Sequence, residues 1–428
     1  MSSSRVLVMT GGTRGFGRRM VERLLTEQPD WKVILLARQS TQLIDLVNSV
    51  ASADRLSVVD TDLASLDSVA RAIEAVVARL GNETIDAVVL NAGVQVVEGD
   101  RLSADGLELT FAVNHLAHFF IAASLAPHIR TGGRLIFTSS EVHDPQAFCL
   151  MGIARAEWQS PDVLADGARA QMHLAEGVER GEARYSASKL LNLMSARYFA
   201  SAELRFSTFA FNPSVVPGTD IARERNLLQI LSWKYLLPAL APILPGARSV
   251  ARSSGDLLWL ATEADAEALR GQYVDGRTAL PGSDESRDAA KIDAVAGISR
   301  ALIARRRSPT LREFSASRMP TLGSAKDSAA CASSGALLSL TEPRPDPQSD
   351  LSEPISRRPY GAAEEAHREQ QRNQSYPDHI SPPAASLPVS GLLRVATPIA
   401  QHGARLTIEH YRRLCKCPYA PDYSNYGL

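Results

Sequence analysis

The stretch that decides the fold is TGGTRGFG, residues 10–17. It follows a short apolar run, RVLVMT (5–10), and leads into a segment with helical periodicity that begins at Phe16. Glycine suits a backbone that must approach an anion closely, and the N-terminus of a helix attracts negative charge. The pattern therefore predicts a strand, an anion-binding turn and a helix, although the glycine spacing alone is equally typical of a structural loop.

The same alternation continues along the first 280 residues. Apolar runs that favour strands lie at 5–10, 32–38, 55–60, 86–93, 134–140 and 205–213, and segments of helical period at 16–28, 65–80, 106–129 and 183–203. Continuous apolar strands separated by amphipathic helices are typical of a parallel sheet covered on both faces. We therefore predict an α/β protein with a doubly wound parallel sheet, the Rossmann fold, which binds ligands at the carboxyl ends of its strands.

The composition changes near residue 305. Of the 24 prolines, 14 lie beyond it, in segments such as TEPRPDPQSDLSEP that bury little apolar surface. Such segments do not form regular structure. We predict one catalytic domain over 1–305 and a disordered tail over 306–428.

The overall charge and the cysteines narrow the possible functions and locations. A net charge of −1 gives no general attraction to nucleic acid. Four cysteines are too few for a disulfide framework, and none has metal-ligand spacing, so we expect no metal site. We find no signal peptide and no run of about 18 apolar residues, and we expect a cytoplasmic protein without a membrane span.

Two arginines accompany the glycine turn. Arg14 lies within it, and Arg38 follows the second predicted strand, where an NAD-binding fold usually has a carboxylate for the ribose hydroxyls. Two guanidinium groups suit the additional phosphate of NADP(H). The sequence therefore favours NADP(H), the alternative being two ordinary surface arginines.

The residues that could perform chemistry lie later in the chain. Tyr185 and Lys189 are spaced i, i+4 and would project from one face of a helix. An ammonium group near a phenol lowers the pKa of that phenol, which makes tyrosine a better proton donor. Ser140 could then hydrogen-bond a carbonyl oxygen, and Asn114 could hold a water that passes protons to Lys189.

In this set of motifs the chain resembles the short-chain dehydrogenase/reductase family. The motifs are TGGTRGFG, Asp62-Leu63, NAG (91–93), Asn114, Ser140 and the Tyr185–Lys189 pair, in family order. VNHLAHFF (113–120) and GQYVDGR (271–277) are similar to the branch of retinol-dehydrogenase-like and light-dependent protochlorophyllide-reductase-like proteins. Leu191 stands where the pigment reductases have cysteine, which argues against photochemistry, and Ser214 replaces the usual glycine after Pro213.

The resemblance implies a Rossmann fold, a nicotinamide cofactor and a catalytic tetrad, Asn114, Ser140, Tyr185 and Lys189. The implied cofactor contacts are Thr10, Gly11, Thr13, Arg14, Gly15, Phe16, Gly17, Arg38, Asp62, Leu63, Asn91, Ala92, Gly93, Tyr185, Lys189, Pro213, Val215, Val216 and Thr219.

Structural roles remain open for several of these residues and their neighbours. Asn91 could brace strands, Asp62 could be a residue at a helix N-terminus, and Ser139 competes with Ser140. We interpret His115 and His118 as helix residues without a catalytic role.

Two segments are expected on the substrate side. The 44 residues between Ser140 and Tyr185 form an insertion, 141–184, that would wall the pocket, and 214–246 would form a lid. Within it, 226–246 is apolar and interrupted by prolines, and a bulky apolar substrate would meet Leu228, Ile230, Leu231, Trp233 and Leu236. The alternatives for 226–246 are a peripheral membrane contact and a partly buried core helix.

These expectations combine into a function. We expect an NADPH-dependent oxidoreductase that transfers hydride between nicotinamide and a lipophilic carbonyl or alcohol, with carbonyl reduction favoured over C=C reduction. The alternative is an NADP(H)-binding regulator or sensor without turnover. The long segments 106–129 and 183–203 could pair two subunits into a homodimer.

Overall fold

A computed structural model of the 428-residue chain gives the architecture. The structure describes residues 4–50, 53–97, 99–147, 152–202, 204–218, 244 and 246–306. Beyond Arg306, the predicted tail lies outside the described residues. So does most of the predicted lid, including all five of its proposed lining side chains.

A single sheet organises the described part of the chain. Its strands are β1 (Arg5–Thr10), β2 (Trp31–Ala37), β3 (Leu56–Asp60), β4 (Ile85–Leu90), β5 (Ile129–Thr138), β6 (Ser207–Asn212), β7 (Tyr273–Asp275) and β8 (Thr278–Leu280). Their order is β3-β2-β1-β4-β5-β6-β7-β8, all parallel except β8, which pairs antiparallel with β7. The strand order reverses between β1 and β4, and ligands of such sheets bind at that point, outside the carboxyl ends of the strands.

Helices cover both faces of the sheet. They are α1 (Gly15–Glu27), α2 (Thr41–Ser49), α3 (Leu66–Leu80), α4 (Leu109–Phe111), α5 (Ala117–Leu125), α6 (Pro161–Leu164), α7 (Val178–Ser201), α8 (Val250–Thr262) and α9 (Ala289–Arg306). The doubly wound α/β fold predicted from the sequence is thus confirmed.

The core is divided in two by the sheet, and β1 shows why. Val6 and Val8 point into the cluster that includes α3, α5 and α7, whereas Leu7 and Met9 point into the cluster that includes α1 and α8. Successive strand side chains face opposite sides of a sheet, so a strand buried on both faces must be apolar throughout. Each fully buried side chain of this kind stabilises the fold by about 1.5–3 kcal/mol.

The predicted helix 106–129 differs from the observed one. Helical structure begins at Leu109, and a π-helical turn, Ala112–Leu116, separates α4 from α5. The extra residue of a π turn rotates the side chains on either side of it, and such turns are frequent at functional sites. Asn114 lies in the middle of this turn, which places its side chain away from the regular helical positions.

Among the described helices, one is long and apolar enough to cross a membrane by length and composition, Leu109–His128. Polar residues such as Asn114, His115 and His118 interrupt it, so it is not the continuous apolar run whose absence was noted in the sequence. Of its apolar window, 89% is buried inside the protein, where α5 packs against α3. In this structure the segment is a buried helix in the layer that packs on one face of the sheet.

Candidate active site

The glycine turn connects β1 to α1. Gly11 and Gly15 have φ of +70° and +56°, a region that residues with side chains rarely adopt. A β carbon on Gly17 would collide with the carbonyl oxygen of Gly11, and one on Gly11 would lie 2.6 Å from the backbone nitrogen of Ala92. Glycine is therefore required at these positions by the winding of the turn itself, which keeps it pressed against the end of β4.

Helix α1 differs from three other helices in how it begins. Ser40, Ser65 and Ser249 cap α2, α3 and α8 by accepting a hydrogen bond from a first-turn N–H group. At Arg14 the structure shows no such side-chain bond within its described residues, and the first turn of α1 contains no acid. The first N–H groups of a helix need a partner, and an anion at the N-terminus supplies one. The turn thus fits a dinucleotide pyrophosphate.

A buried network joins this turn to the helix that contains Asn114. The hydroxyl of Thr10 accepts hydrogen bonds from the N–H groups of Asn91 and Ala92, at 3.0 and 3.1 Å. It lies 3.0 Å from Nε2 of His118, whose Nδ1 donates to the Asn114 carbonyl at 2.9 Å. Burial lowers the pKa of His118 to about 3, so the imidazole is neutral and Nε2 accepts the Thr10 proton.

Asn91 braces three parts of the sheet. Its Nδ2 donates to the Gly11 carbonyl at 2.9 Å, and its Oδ1 accepts from the Thr138 hydroxyl at 3.2 Å. The bracing role considered for this residue is therefore observed. Ala92 and Gly93 follow directly, so the same brace positions the backbone that is expected to contact the cofactor.

The residues predicted to contact the adenosine end lie beyond the carboxyl ends of β1, β2 and β3. Arg14 donates to Oε1 of Gln42 at 3.0 Å, and Arg38 is exposed one residue after β2. The Asp62 carboxylate accepts from the N–H of Ala64 at 3.0 Å, and Leu63 packs against the core. Both arginines are thus on the same side of the sheet edge, around the start of α2.

Tyr185 and Lys189 project from α7 towards the end of β5. Their side chains are buried, and Lys189 Nζ lies 5.4 Å from the centre of the Tyr185 ring. Nζ donates to the Thr138 carbonyl at 3.1 Å, and among the described residues no carboxylate forms an ion pair with it. Burial lowers the pKa of Lys189 to about 8. A β carbon on Gly93 would lie 3.6 Å from Nζ, so glycine keeps space open beside the ammonium.

The two serines after β5 have different environments. Ser139 is buried and donates to the Lys189 carbonyl at 2.8 Å, which fastens α7 to the sheet. Ser140 is half-buried and donates to Oε2 of Glu141 at 3.1 Å. Of the two hydroxyls, that of Ser140 is thus the one on a partly exposed residue, and its catalytic role remains a prediction.

Asn114 is fully buried and its amide is already used. Oδ1 accepts from the N–H of Val94 at 2.8 Å, and Nδ2 donates to the Val94 carbonyl at 2.9 Å and to the Ser188 hydroxyl at 3.0 Å. Both N–H donors are thus engaged, one joining the π turn to the segment after β4 and the other joining it to α7. A water at this residue would need the second lone pair of Oδ1, and the bracing function was not foreseen from the sequence.

The segment after β6 keeps the backbone shape that glycine normally provides. Ser214 has φ of +60°, and its N–H donates to Oδ1 of Asn212 at 2.9 Å. Val215 and Val216 follow and are buried, whereas Thr219 lies outside the described residues. Ser214 therefore adopts a left-handed conformation at the position where the family has glycine.

The insertion reaches the site. Ile153 packs beside Val142 and Tyr185, and the Ala154 carbonyl accepts from the Ser186 hydroxyl at 2.6 Å. Part of the insertion therefore lies against the first turns of α7 and provides apolar surface next to the tyrosine.

A partly buried polar group centred on Asp275 was not predicted. The Asp275 carboxylate accepts from Asn212 at 3.0 Å and Ser214 at 3.1 Å, and it pairs with Arg248 at 2.9 Å. No local motif marks these residues, because they come together only when β7 pairs with β6.

Among the described residues, no group of three or more His, Cys, Asp or Glu side chains could hold a metal ion.

Comparison with known proteins supports the resemblance found in the sequence. The model of the short chain dehydrogenase family matches residues 5–149, which includes the glycine turn, Asn114 and Ser140. Over this segment the chain is similar to the short-chain dehydrogenase/reductase family. Tyr185 and Lys189 lie beyond the matched segment, on α7.

Relatives in the short-chain dehydrogenase/reductase family extend the match. The short-chain dehydrogenase iccH of Talaromyces variabilis is 25% identical over 347 residues, 68% of this chain and 93% of the relative. Protochlorophyllide reductase A of Oryza sativa is 28% identical over 233 residues, 51% of this chain and 59% of the relative. Human 3-keto-steroid reductase/17-beta-hydroxysteroid dehydrogenase 7 is 23% identical over 276 residues, 55% of this chain and 72% of the relative.

Proposed function

We propose that this protein is an NADPH-dependent reductase that converts a lipophilic ketone or aldehyde to the alcohol. It catalyses the reverse reaction where conditions favour it. The observation that supports it most directly is the grouping of Tyr185, Lys189 and Ser140 at the carboxyl end of β5. NADPH, when bound, supplies the hydride.

Tyr185 is the proton donor in this mechanism. A carbonyl that receives hydride develops negative charge on its oxygen, and it needs both a hydrogen-bond donor and a proton. The Lys189 ammonium, 5.4 Å from the ring centre, favours the phenolate that remains after proton transfer. Ser140 donates to the same oxygen, and Asn114 holds the π turn against α7 while its remaining lone pair binds the relay water.

Three observations favour NADPH and a lipophilic substrate. The N-terminus of α1 has no side-chain cap among the described residues and fits a pyrophosphate. Arg14 and Arg38 lie at the carboxyl edge of β1 and β2, and the residue before Arg38 is Ala37 rather than an acid. Val142 and Ile153 provide apolar contact beside Tyr185. The name of the human relative specifies a 3-keto-steroid, which is a large apolar ketone.

The test is NADPH oxidation with a panel of apolar aldehydes and ketones. Tyr185→Phe should reduce kcat by about 10²- to 10⁴-fold, the usual contribution of a general acid, and leave the NADPH dissociation constant within about twofold. The matched control is Tyr198→Phe on the same helix, whose hydroxyl accepts from Arg300 rather than facing the site.

The alternative is a sensor that binds NADPH without turnover. Tight NADPH binding with no oxidation across the panel supports the sensor. Equal turnover by wild type and Tyr185→Phe removes the proposed proton donor.

A further inference from the structure

The carboxyl group of Glu141 lies directly beside the serine of the proposed mechanism. Its Oε2 is 3.1 Å from Ser140 Oγ, and in this pair the serine is the donor. A hydroxyl has one proton, so a serine that donates to a carboxylate cannot donate to a substrate oxygen at the same time. When the carboxyl is ionised, Ser140 is therefore occupied by this pair.

The surroundings of Glu141 disfavour its negative charge. On its own turn it faces Ser140, with His143 and Asp144 following; from β6 it faces Asn212, and from β7 Asp275 and Tyr273. Among the described residues, no Lys, Arg or His forms an ion pair with Glu141, and Arg248 is paired with Asp275. Burial, together with the Asp275 charge, raises the pKa of Glu141, and the hydrogen bonds from Ser140 and Asn212 oppose this only in part.

The neighbouring titratable groups do not take over this role. His143 donates from Nδ1 to the Ser140 carbonyl and accepts from the N–H of Ser283 at its other nitrogen, and burial lowers the pKa of this neutral imidazole further. Burial raises the pKa of Tyr273, which keeps that phenol neutral. Glu141 is thus the group next to Ser140 whose carboxyl pKa is raised and whose charge can change.

We propose that Glu141 is a positioning residue whose protonation state sets the direction of the Ser140 hydrogen bond. In the neutral form the carboxyl donates to Ser140 Oγ, and Ser140 has its own proton free for the substrate carbonyl oxygen. In the ionised form the carboxylate holds that proton, and the substrate oxygen loses one of its two donors. This inference rests on the proposed function and adds to it a pH-dependent control of the oxyanion donor.

The first test is the pH dependence of kcat/KM for reduction of one apolar ketone. Glu141→Gln has an amide N–H that can donate to Ser140 at every pH. Its kcat/KM should therefore not fall when the wild-type carboxyl ionises, but it should still fall when Lys189 loses its proton. Above the carboxyl transition, its rate relative to wild type should grow about tenfold per pH unit.

Asp144→Asn is the matched control, since it removes an acid on the same turn that binds the N–H of Gln146 and not Ser140. Its profile should follow wild type. A Glu141→Gln profile with the same shape as wild type, at whatever absolute rate, overturns the proposal.

A second measurement does not need turnover. The infrared band of a protonated carboxyl, assigned by its absence in Glu141→Gln, reports the titration of Glu141 in wild type and in Ser140→Ala. Loss of the serine donor should move the transition to higher pH, because the carboxylate loses a hydrogen bond. An unmoved transition, or a carboxyl that is ionised throughout, overturns the proposal. Wild type that oxidises no NADPH instead overturns the proposed function, and the infrared result still decides the coupling.

Discussion

The glycine turn and the catalytic edge lie at the same end of one sheet but differ in what they are made of, backbone groups in the first and side chains in the second. The turn, residues 10–17, presents backbone N–H groups at an uncapped helix start, and its shape is fixed by contacts such as Gly17 against Gly11. The catalytic edge, by which we mean Ser140, Glu141, Tyr185, Lys189 and Asp275, is made of side chains, and the pKa values of two of them, Glu141 and Lys189, are shifted by burial.

The difference concerns what each region can regulate. Backbone N–H groups do not titrate, so anion binding at the turn is independent of pH within the range where the protein is folded. At the catalytic edge, burial lowers the pKa of Lys189 to about 8 and raises that of Glu141. Binding therefore depends on a rigid backbone surface, and chemistry depends on side chains whose protonation changes with pH. Substitutions at four positions test that division.

Lys189→Met should have the largest effect, and in opposite directions on activity and stability. The gap between the ordinary lysine pKa of 10.5 and about 8 corresponds to roughly 3 kcal/mol of destabilisation at neutral pH. The folded-state pKa is depressed, so wild type gains stability as pH rises from about 8 to 10.5, while the variant does not. The Thr138 carbonyl keeps a partner, Asn192, at 3.0 Å.

Urea unfolding of the cofactor-free protein at several pH values measures this. Lys32→Met is the control, because Lys32 is exposed and paired with Glu83, and it should lose up to about 1 kcal/mol. Carbonyl reduction by wild type should decline above about pH 8, as the ammonium is lost. A stability of Lys189→Met below that of wild type at pH 7 contradicts the burial argument.

Gly17→Ala tests the rigid region. The added methyl would collide with the Gly11 carbonyl, so the turn must shift, at a cost of about 1–3 kcal/mol and with weaker NADPH binding. Gly297→Ala in α9 is the matched control, since a β carbon there meets nothing within 4 Å and alanine favours helix by up to about 1 kcal/mol. Thermal unfolding and NADPH titration should separate the two variants, and equal effects of both would show that the turn is not tightly packed.

Arg38→Ala tests the predicted phosphate contact. Loss of one charge-assisted hydrogen bond should weaken NADPH binding about tenfold or more and leave NADH binding unchanged. Arg71→Ala, at an exposed position on α3, serves as the control. Fluorescence titration with both cofactors decides the matter, and wild type that binds NADH as tightly as NADPH rules out the NADP(H) preference.

The smallest effect is expected at Ser214. Both Ser214→Gly and Ser214→Ala lose the hydrogen bond from Ser214 to Asp275, but only glycine relieves the left-handed backbone at φ +60°. The glycine variant should therefore be more stable than the alanine variant by about 1 kcal/mol. Thermal unfolding of the pair isolates the backbone contribution, and an alanine variant as stable as the glycine variant would show that the segment relaxes.

The sequence by itself determined the alternation of strands and helices, because apolar periodicity and glycine turns are local properties. β1 was predicted to the residue, and the motifs around Ser140, Tyr185 and Lys189 indicated which strand and helix would meet. Local pattern also selected α1 as the helix that receives an anion, since the glycine-rich turn of residues 10–17 stands directly before it.

Only the tertiary structure decided how those residues are bonded. Ser139 and Ser140 are neighbours with the same side chain, and their environments differ because the first is buried under α7 and the second is partly exposed beside Glu141. Asn114 joins Val94 to Ser188, and Asp275 reaches Ser214, across long separations in sequence. Burial and long-range pairing produce these contacts and the shifted pKa values, and neither property is encoded in the spacing of residues along the chain.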